Sequence, residues 1–202
     1  MSSLATTVRS VPEQDGPPRK RWTRTECDLL EKSGIWNGRR FELVDGEVYD
    51  KHGSTRGHTI ALTLVRNWLA RRFGDLCIDT RACIDVAPED NPTSEPEPDI
   101  ALLARSSFEF LVNPTPVDIR LVIEVSDTTV RFDSVTKAAL YARAGIGEYW
   151  VVDVKAKKLI VHRSPAAGTY QSIETYRGAA MVASEVIAKS FSVSELFDHP
   201  TL

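Results

Sequence analysis

The chain has 202 residues, 42% hydrophobic and 26% charged, a balance that excludes disordered and fibrous classes and fits a domain with its own core. Its net charge of −3 excludes the overall basic field of a strong, non-specific nucleic-acid binder. Cys27, Cys77 and Cys83 match neither a disulfide framework nor a zinc motif, and no run reaches the roughly 20 apolar residues of a membrane span, so a cytoplasmic protein is expected.

Residues 1–21 are rich in Ser, Thr, Pro and charge without apolar period and read as a flexible tail, leaving 22–202 as a single domain. Local positive patches remain at Arg19, Lys20, Arg21 and Arg24 and at Arg71 and Arg72. Thr23 followed by Glu26 is a capping-box pattern, predicting a short helix that ends near Gly34. FELVDGEVY centres on Asp45-Gly46, the dipeptide of a tight two-residue hairpin. After KHGSTRG, Ile60, Leu64, Val65, Trp68, Leu69 and Phe73 recur at helical spacing, giving a helix over 57–73 closed by Gly74.

Alternation over 77–86 predicts a half-buried strand, and PEDNPTSEPEPD a loop that ends at Asp99. Residues 100–103 and 121–125 read as short strands buried in the middle of a sheet, separated by a loop with about one helical turn. A second helix over 132–144 is closed by Gly145, EYWVVDVKAKKLIVHR supplies two strands around a turn, and Tyr170 begins another. A short turn or helix follows Ser194. The order describes an α/β fold, a mixed sheet flanked by helices with an N-terminal hairpin.

Asp99 enters one buried strand and Glu124 lies inside the apolar run LVIEVS of the other, where a carboxylate costs several kcal/mol unless compensated. On neighbouring strands both could offer oxygen ligands to a hard divalent ion such as Mg²⁺. A pair with Arg120, or an edge position facing water, is the bland alternative for Glu124. Asp133, Lys137 and Tyr141 share one helical face, where Asp133 and Lys137 could form only a surface ion pair.

FELVDGEVY, PEPDIAL, IEVSDTTVRFDSVTKAALYARAG and EYWVVD, in this order and spacing, resemble the Uma-type restriction endonuclease family of the PD-(D/E)XK nuclease superfamily, over about residues 22–197. The resemblance implies a restriction-endonuclease-like core and hydrolysis of phosphodiesters, in DNA by family inference alone. It implies Mg²⁺, with Mn²⁺ as an alternative, held by Asp99 and Glu124. The superfamily's lysine two residues after the second acid is replaced by Ser126, and the resemblance moves its role to Lys137. Glu42 becomes an additional acid near the metal, and His58 a base or water-positioning group. Lys137→Met is expected to fold normally and lose cleavage. A homodimer fits a double-strand cut, which needs two sites.

The competing reading is a non-catalytic nucleic-acid-binding or regulatory module that keeps the nuclease fold, motivated by the acidic net charge and the displaced lysine. A structural protein resting on Trp22 and Trp36 is a third.

Overall fold

The computed structural model describes residues 17–51, 53 and 55–198. Most of the expected tail, 1–16, and also His52 and His199, lie outside the described residues. Structure begins slightly before Trp22, because a Cβ added at Gly46 would meet Arg21 Cβ at 2.8 Å and the Trp22 amide donates to Gly46 O at 2.8 Å.

Helix α1 spans Arg24–Lys32 behind the Thr23–Glu26 capping box. Strands β1, Phe41–Val44, and β2, Glu47–Asp50, form the hairpin. Asp45 and Gly46 both carry the positive φ, 49° and 76°, that such a tight turn requires. Helix α2, Arg56–Phe73, starts at the Thr55 cap and ends at Gly74.

Six strands make the main sheet, in the order β3 (Ile78–Thr80), β4 (Ile100–Leu103), β5 (Ile119–Ser126), β6 (Glu148–Asp153), β7 (Lys158–Ala166) and β8 (Thr169–Arg177). Only β5 and β6 are parallel, and the helical connection between them is helix α3, Ala138–Arg143, preceded by a widened π-helical turn over Phe132–Lys137. A small antiparallel pair, β9 (Met181–Val182) and β10 (Phe191–Ser192), closes the chain before a 3₁₀ turn over Val193–Leu196.

The strand expected over 77–86 is shorter. Arg81 takes φ 53°, which breaks the ladder after Thr80. Beyond it the chain stays buried at Ile84 and Val86 without a strand partner, and the Val86 amide donates instead to Asn91 Oδ1 at 2.8 Å. The expected single turn between β4 and β5 is two 3₁₀ turns, Ser107–Glu109 and Pro116–Asp118.

Alternation along β4, β5 and β6 divides the core. Ile100, Leu102, Leu121, Ile123 and Trp150 pack with Val65, Trp68 and Leu69 of α2 on one face. Ala101, Leu103, Val122, Tyr149 and Val151 pack with Ala138, Tyr141 and Ala142 of α3 on the other. Glu124 and Ser126 follow Val122 at two-residue steps, so they face α3.

Candidate active site

In the antiparallel pairing of β4 and β5, Ile100 stands opposite Ile123. The next position outward sets Asp99 opposite Glu124, with both side chains on the face toward α3. Both are buried, and the Asp99 amide points at Glu124 Oε2 over 3.4 Å. Asp99 Oδ2 accepts from the Val125 amide at 2.9 Å. Glu124 is thus neither at an edge nor paired with Arg120, which is exposed and directs its guanidinium to Ala104 O.

The widened turn brings Asp133 and Lys137 to the sheet, both buried, which removes the surface-pair reading. Lys137, with only 1% of its side chain exposed, places Nζ 2.8 Å from Glu124 Oε1 and 2.8 Å from Glu42 Oε2. The Tyr141 hydroxyl donates to the same Glu124 oxygen at 3.0 Å. Asp133 accepts from Ser126 Oγ at 2.5 Å and Thr129 Oγ1 at 2.7 Å. Ser126, standing where a lysine would be expected, therefore holds the acid of the turn that delivers Lys137.

Glu42 reaches this floor because the hairpin docks on the segment before β4. Leu43 and Glu95 exchange amide bonds of 3.4 and 2.7 Å, and the Glu97 amide donates to Glu42 Oε2 at 3.3 Å. Arg143, at the end of α3, locks the hairpin through Asp45 at 2.5 Å and the loop through Asp90 at 2.7 Å.

His58 comes from the first turn of α2, which Thr55 ties to Asp127 by a 2.7 Å hydrogen bond. Its Nε2 lies 3.2 Å from Asp99 Oδ2. An ionised carboxylate only accepts, so Nε2 carries the hydrogen, and Nδ1 is buried without a partner among the described residues. Sequence reasoning missed Lys51. It stands just past β2, with Nζ 3.0 Å from Glu97 O and 3.6 Å from Glu42 Oε2, and keeps 22% of its side chain exposed. A lysine one position past a short strand carries no signal of its own; only the docking of the hairpin brings it here.

These groups line one cavity of about 710 Å³. Glu42, Asp99, Glu124 and Asp133 are all buried around the single buried ammonium of Lys137. Burial pushes Glu124 up to about 8, with Asp133 and Asp99 adding to it against Lys137 and Lys51. Burial works against the Lys137 charge, yet Glu124, Glu42 and Asp133 hold the ammonium well above its ordinary value. Burial is the larger cause at Glu124, and Asp133, which adds to it, also helps to hold the Lys137 charge. Burial raises Asp133 as well. Burial also opposes the Asp99 charge, but the hydrogen bond and charge of His58, with Lys51 and the Val125 amide, leave Asp99 below its ordinary value.

A divalent cation fits such a floor. Among the described residues no three His, Cys, Asp or Glu side chains form a closed cage. Mg²⁺ is commonly held by one or two carboxylates, with water and substrate phosphate filling its other positions, which matches an Asp99–Glu124 pair opening on a cavity. The basic patches seen in the sequence are partly consumed internally, since Arg24 bonds Asp85 at 2.7 Å and Arg72 bonds Glu195 at 2.9 Å. No helix among the described residues is long and apolar enough to cross a membrane.

No curated protein matches the chain. Among solved structures, one titled a putative nuclease belonging to DUF820, from Anabaena variabilis ATCC 29413, is 18% identical with a TM-score of 0.57. The match covers 78% of this chain and 89% of that one, and it places the mixed α/β architecture among folds seen in such proteins. Residues 28–195 match the Uma2 family, whose description reads "Putative restriction endonuclease", and the chain belongs to that family.

Proposed function

We propose that the protein is a metal-dependent endonuclease that hydrolyses phosphodiester bonds, with DNA as its substrate. The observation that carries this reading is the cavity floor, where two carboxylates face each other across β4 and β5 and the ammonium of Lys137 sits between the second of them and Glu42. Asp99 and Glu124 would hold Mg²⁺ or Mn²⁺, which when bound supplies Lewis acidity toward the scissile phosphate.

The chain's own groups divide the remaining work. Lys137 spends two N–H donors on Glu42 and Glu124, which fixes both carboxylates, and its third can orient the attacking water. His58, anchored to Asp99 through Nε2, orients that carboxylate for the ion. Lys51, nearer solvent, meets the phosphate and offsets charge on the transition state. Family membership supports nucleic acid as the partner, and with it the choice of DNA.

The competing module reading draws on Ser126, which leaves the usual lysine position without a base. One experiment separates them: calorimetry with Mg²⁺ and Mn²⁺, and cleavage of plasmid, linear duplex and RNA, on wild type and Asp99→Asn. Wild type should bind the ion and cut, while Asp99→Asn should bind none and cut at least ~100-fold more slowly. Metal binding that Asp99→Asn leaves unchanged would sink the site, and binding of nucleic acid without cutting would favour the module.

A further inference from the structure

Each of the two facing carboxylates has one oxygen firmly held by donors and one that is not. The hydrogen bonds that Asp99 accepts fall on Oδ2, from the Val125 amide at 2.9 Å and from His58 Nε2 at 3.2 Å, and among the described residues none reaches Oδ1. At Glu124 the short bonds fall on Oε1, from Lys137 Nζ at 2.8 Å and the Tyr141 hydroxyl at 3.0 Å, whereas Oε2 meets only the Asp99 amide over 3.4 Å.

The two donors at Oε1 are not equivalent. Lys137 and Tyr141 stand four residues apart, one helical turn, and so reach the same atom. Lys137 shares its ammonium with Glu42, also at 2.8 Å, and a shift toward that acid would draw it away from Glu124. The Tyr141 hydroxyl serves Glu124 alone. Its ring is fully buried, packs in the core with Ala101, Val122 and Val151, and meets Tyr149 edge-on with centroids 5.0 Å apart. Packing of this kind fixes the ring, and with it the point at which the hydroxyl donates. A buried hydroxyl needs an acceptor, but a main-chain oxygen serves equally well: Tyr149 donates to Asp133 O at 3.0 Å and Tyr170 to Ile146 O at 2.8 Å. Tyr141, in the same cluster, spends its hydroxyl on a carboxylate of the floor.

We infer that Tyr141 is a positioning residue: together with Lys137 it holds Glu124 Oε1, so that a divalent ion takes Glu124 through Oε2 alone and Asp99 through Oδ1 alone. This rests on the metal-dependent reading of the floor and adds which oxygens bind and which ion they select. Carboxylates that offer one oxygen each suit Mg²⁺, which keeps near-ideal octahedral positions and several waters, whereas Ca²⁺ takes more oxygens and readily accepts two from one carboxylate. Holding Oε1 therefore favours Mg²⁺ over Ca²⁺.

Calorimetry of Mg²⁺, Mn²⁺ and Ca²⁺ binding to the full chain, without nucleic acid, tests this on wild type, Tyr141→Phe and Tyr170→Phe. Each variant keeps its ring and loses one buried hydroxyl, so their melting temperatures should fall by similar small amounts. Tyr141→Phe should weaken Mg²⁺ and Mn²⁺ about tenfold, the scale of losing a group that supports a metal ligand, and Ca²⁺ by less than about threefold. Tyr170→Phe should leave all three unchanged. Infrared difference spectra of wild type with and without Mg²⁺ need no variant: carboxylate stretching bands split more widely than in the free carboxylate mark ligation through one oxygen, and a narrower splitting marks ligation through both. Equal weakening by the two variants, a preference for Mg²⁺ over Ca²⁺ that Tyr141→Phe leaves unchanged, or narrow splitting in wild type would overturn the inference and leave the metal site standing. A wild type that binds none of the three ions would overturn both.

Discussion

The floor of the cavity and the connection from β4 to β5 are separated along the chain by the four residues of β4, with Asp99 before it and the connection after Leu103. They depart from ordinary protein chemistry in opposite directions. At the floor four carboxylates and an ammonium are held away from water, where each ion forfeits several kcal/mol of hydration. On that connection four large apolar side chains, Phe108, Leu111, Val112 and Val117, face water, each forgoing about 1.5–3 kcal/mol of burial. A fold selected only for stability would exchange these placements. At the floor, that cost is what the proposed ion and phosphate would offset.

The comparison can be broken at the floor. If Lys137 is the internal counter-ion, Lys137→Met leaves Glu42 and Glu124 buried without their cation, and breaking such a pair costs about 3–5 kcal/mol. Thermal unfolding should then fall by roughly 10 °C. This reverses the expectation from sequence that the variant folds normally, because a helix-face pattern does not reveal that its lysine is entombed. Adding Mg²⁺ or Mn²⁺ should return part of the loss. Unchanged melting would mean that Lys137 is dispensable to the floor.

Lys51 sharpens the contrast between floor and mouth. Lys51→Ala removes a partly exposed cation that bonds a main-chain oxygen, so melting should move by no more than about 2 °C. Binding of duplex DNA in chelator, followed by fluorescence anisotropy, should weaken about tenfold, and the slope of log affinity against log salt should drop by about 1. An unchanged salt slope would put Lys51 out of reach of phosphate.

The last effect concerns Glu124. Its carboxyl is raised from 4.5 to about 8 in the folded protein. A raised group contributes stability fully below its unfolded value and loses it as pH rises through the folded one. Without divalent ion, wild type should therefore lose this contribution between about pH 4.5 and pH 8, whereas Glu124→Gln, which mimics the protonated acid, should not. Differential scanning calorimetry should show the variant melting a few degrees higher at pH 8 than wild type, with the gap closing toward pH 5. A gap that does not vary with pH would show that Glu124 does not change its protonation over this range.

Elements whose signal is local were legible in the chain. The Asp45-Gly46 turn, the Thr23 cap, the apolar period of α2 and the run LVIEVS each state their structure within a few residues, because dihedral preference, capping and alternation act at that range. Asp99 and Glu124 stood out for the same reason, as charges placed against an apolar pattern. The strand over 77–86 was overread because alternation records burial, and the chain past Arg81 is buried without being paired.

Tertiary structure decided the rest. That Glu42 and Lys51 reach the floor depends on the hairpin bridging Leu43 to Glu95, a contact between segments about 50 residues apart with no sequence period to announce it. That Lys137 is a buried counter-ion depends on the widened turn at Phe132–Lys137 and on Ser126 and Thr129 holding Asp133. Sequence determined which residues were costly to bury, because that cost belongs to the side chain. Which partners offset the cost, and which apolar residues were left facing water, is a property of distances between segments, and only the packed chain sets those.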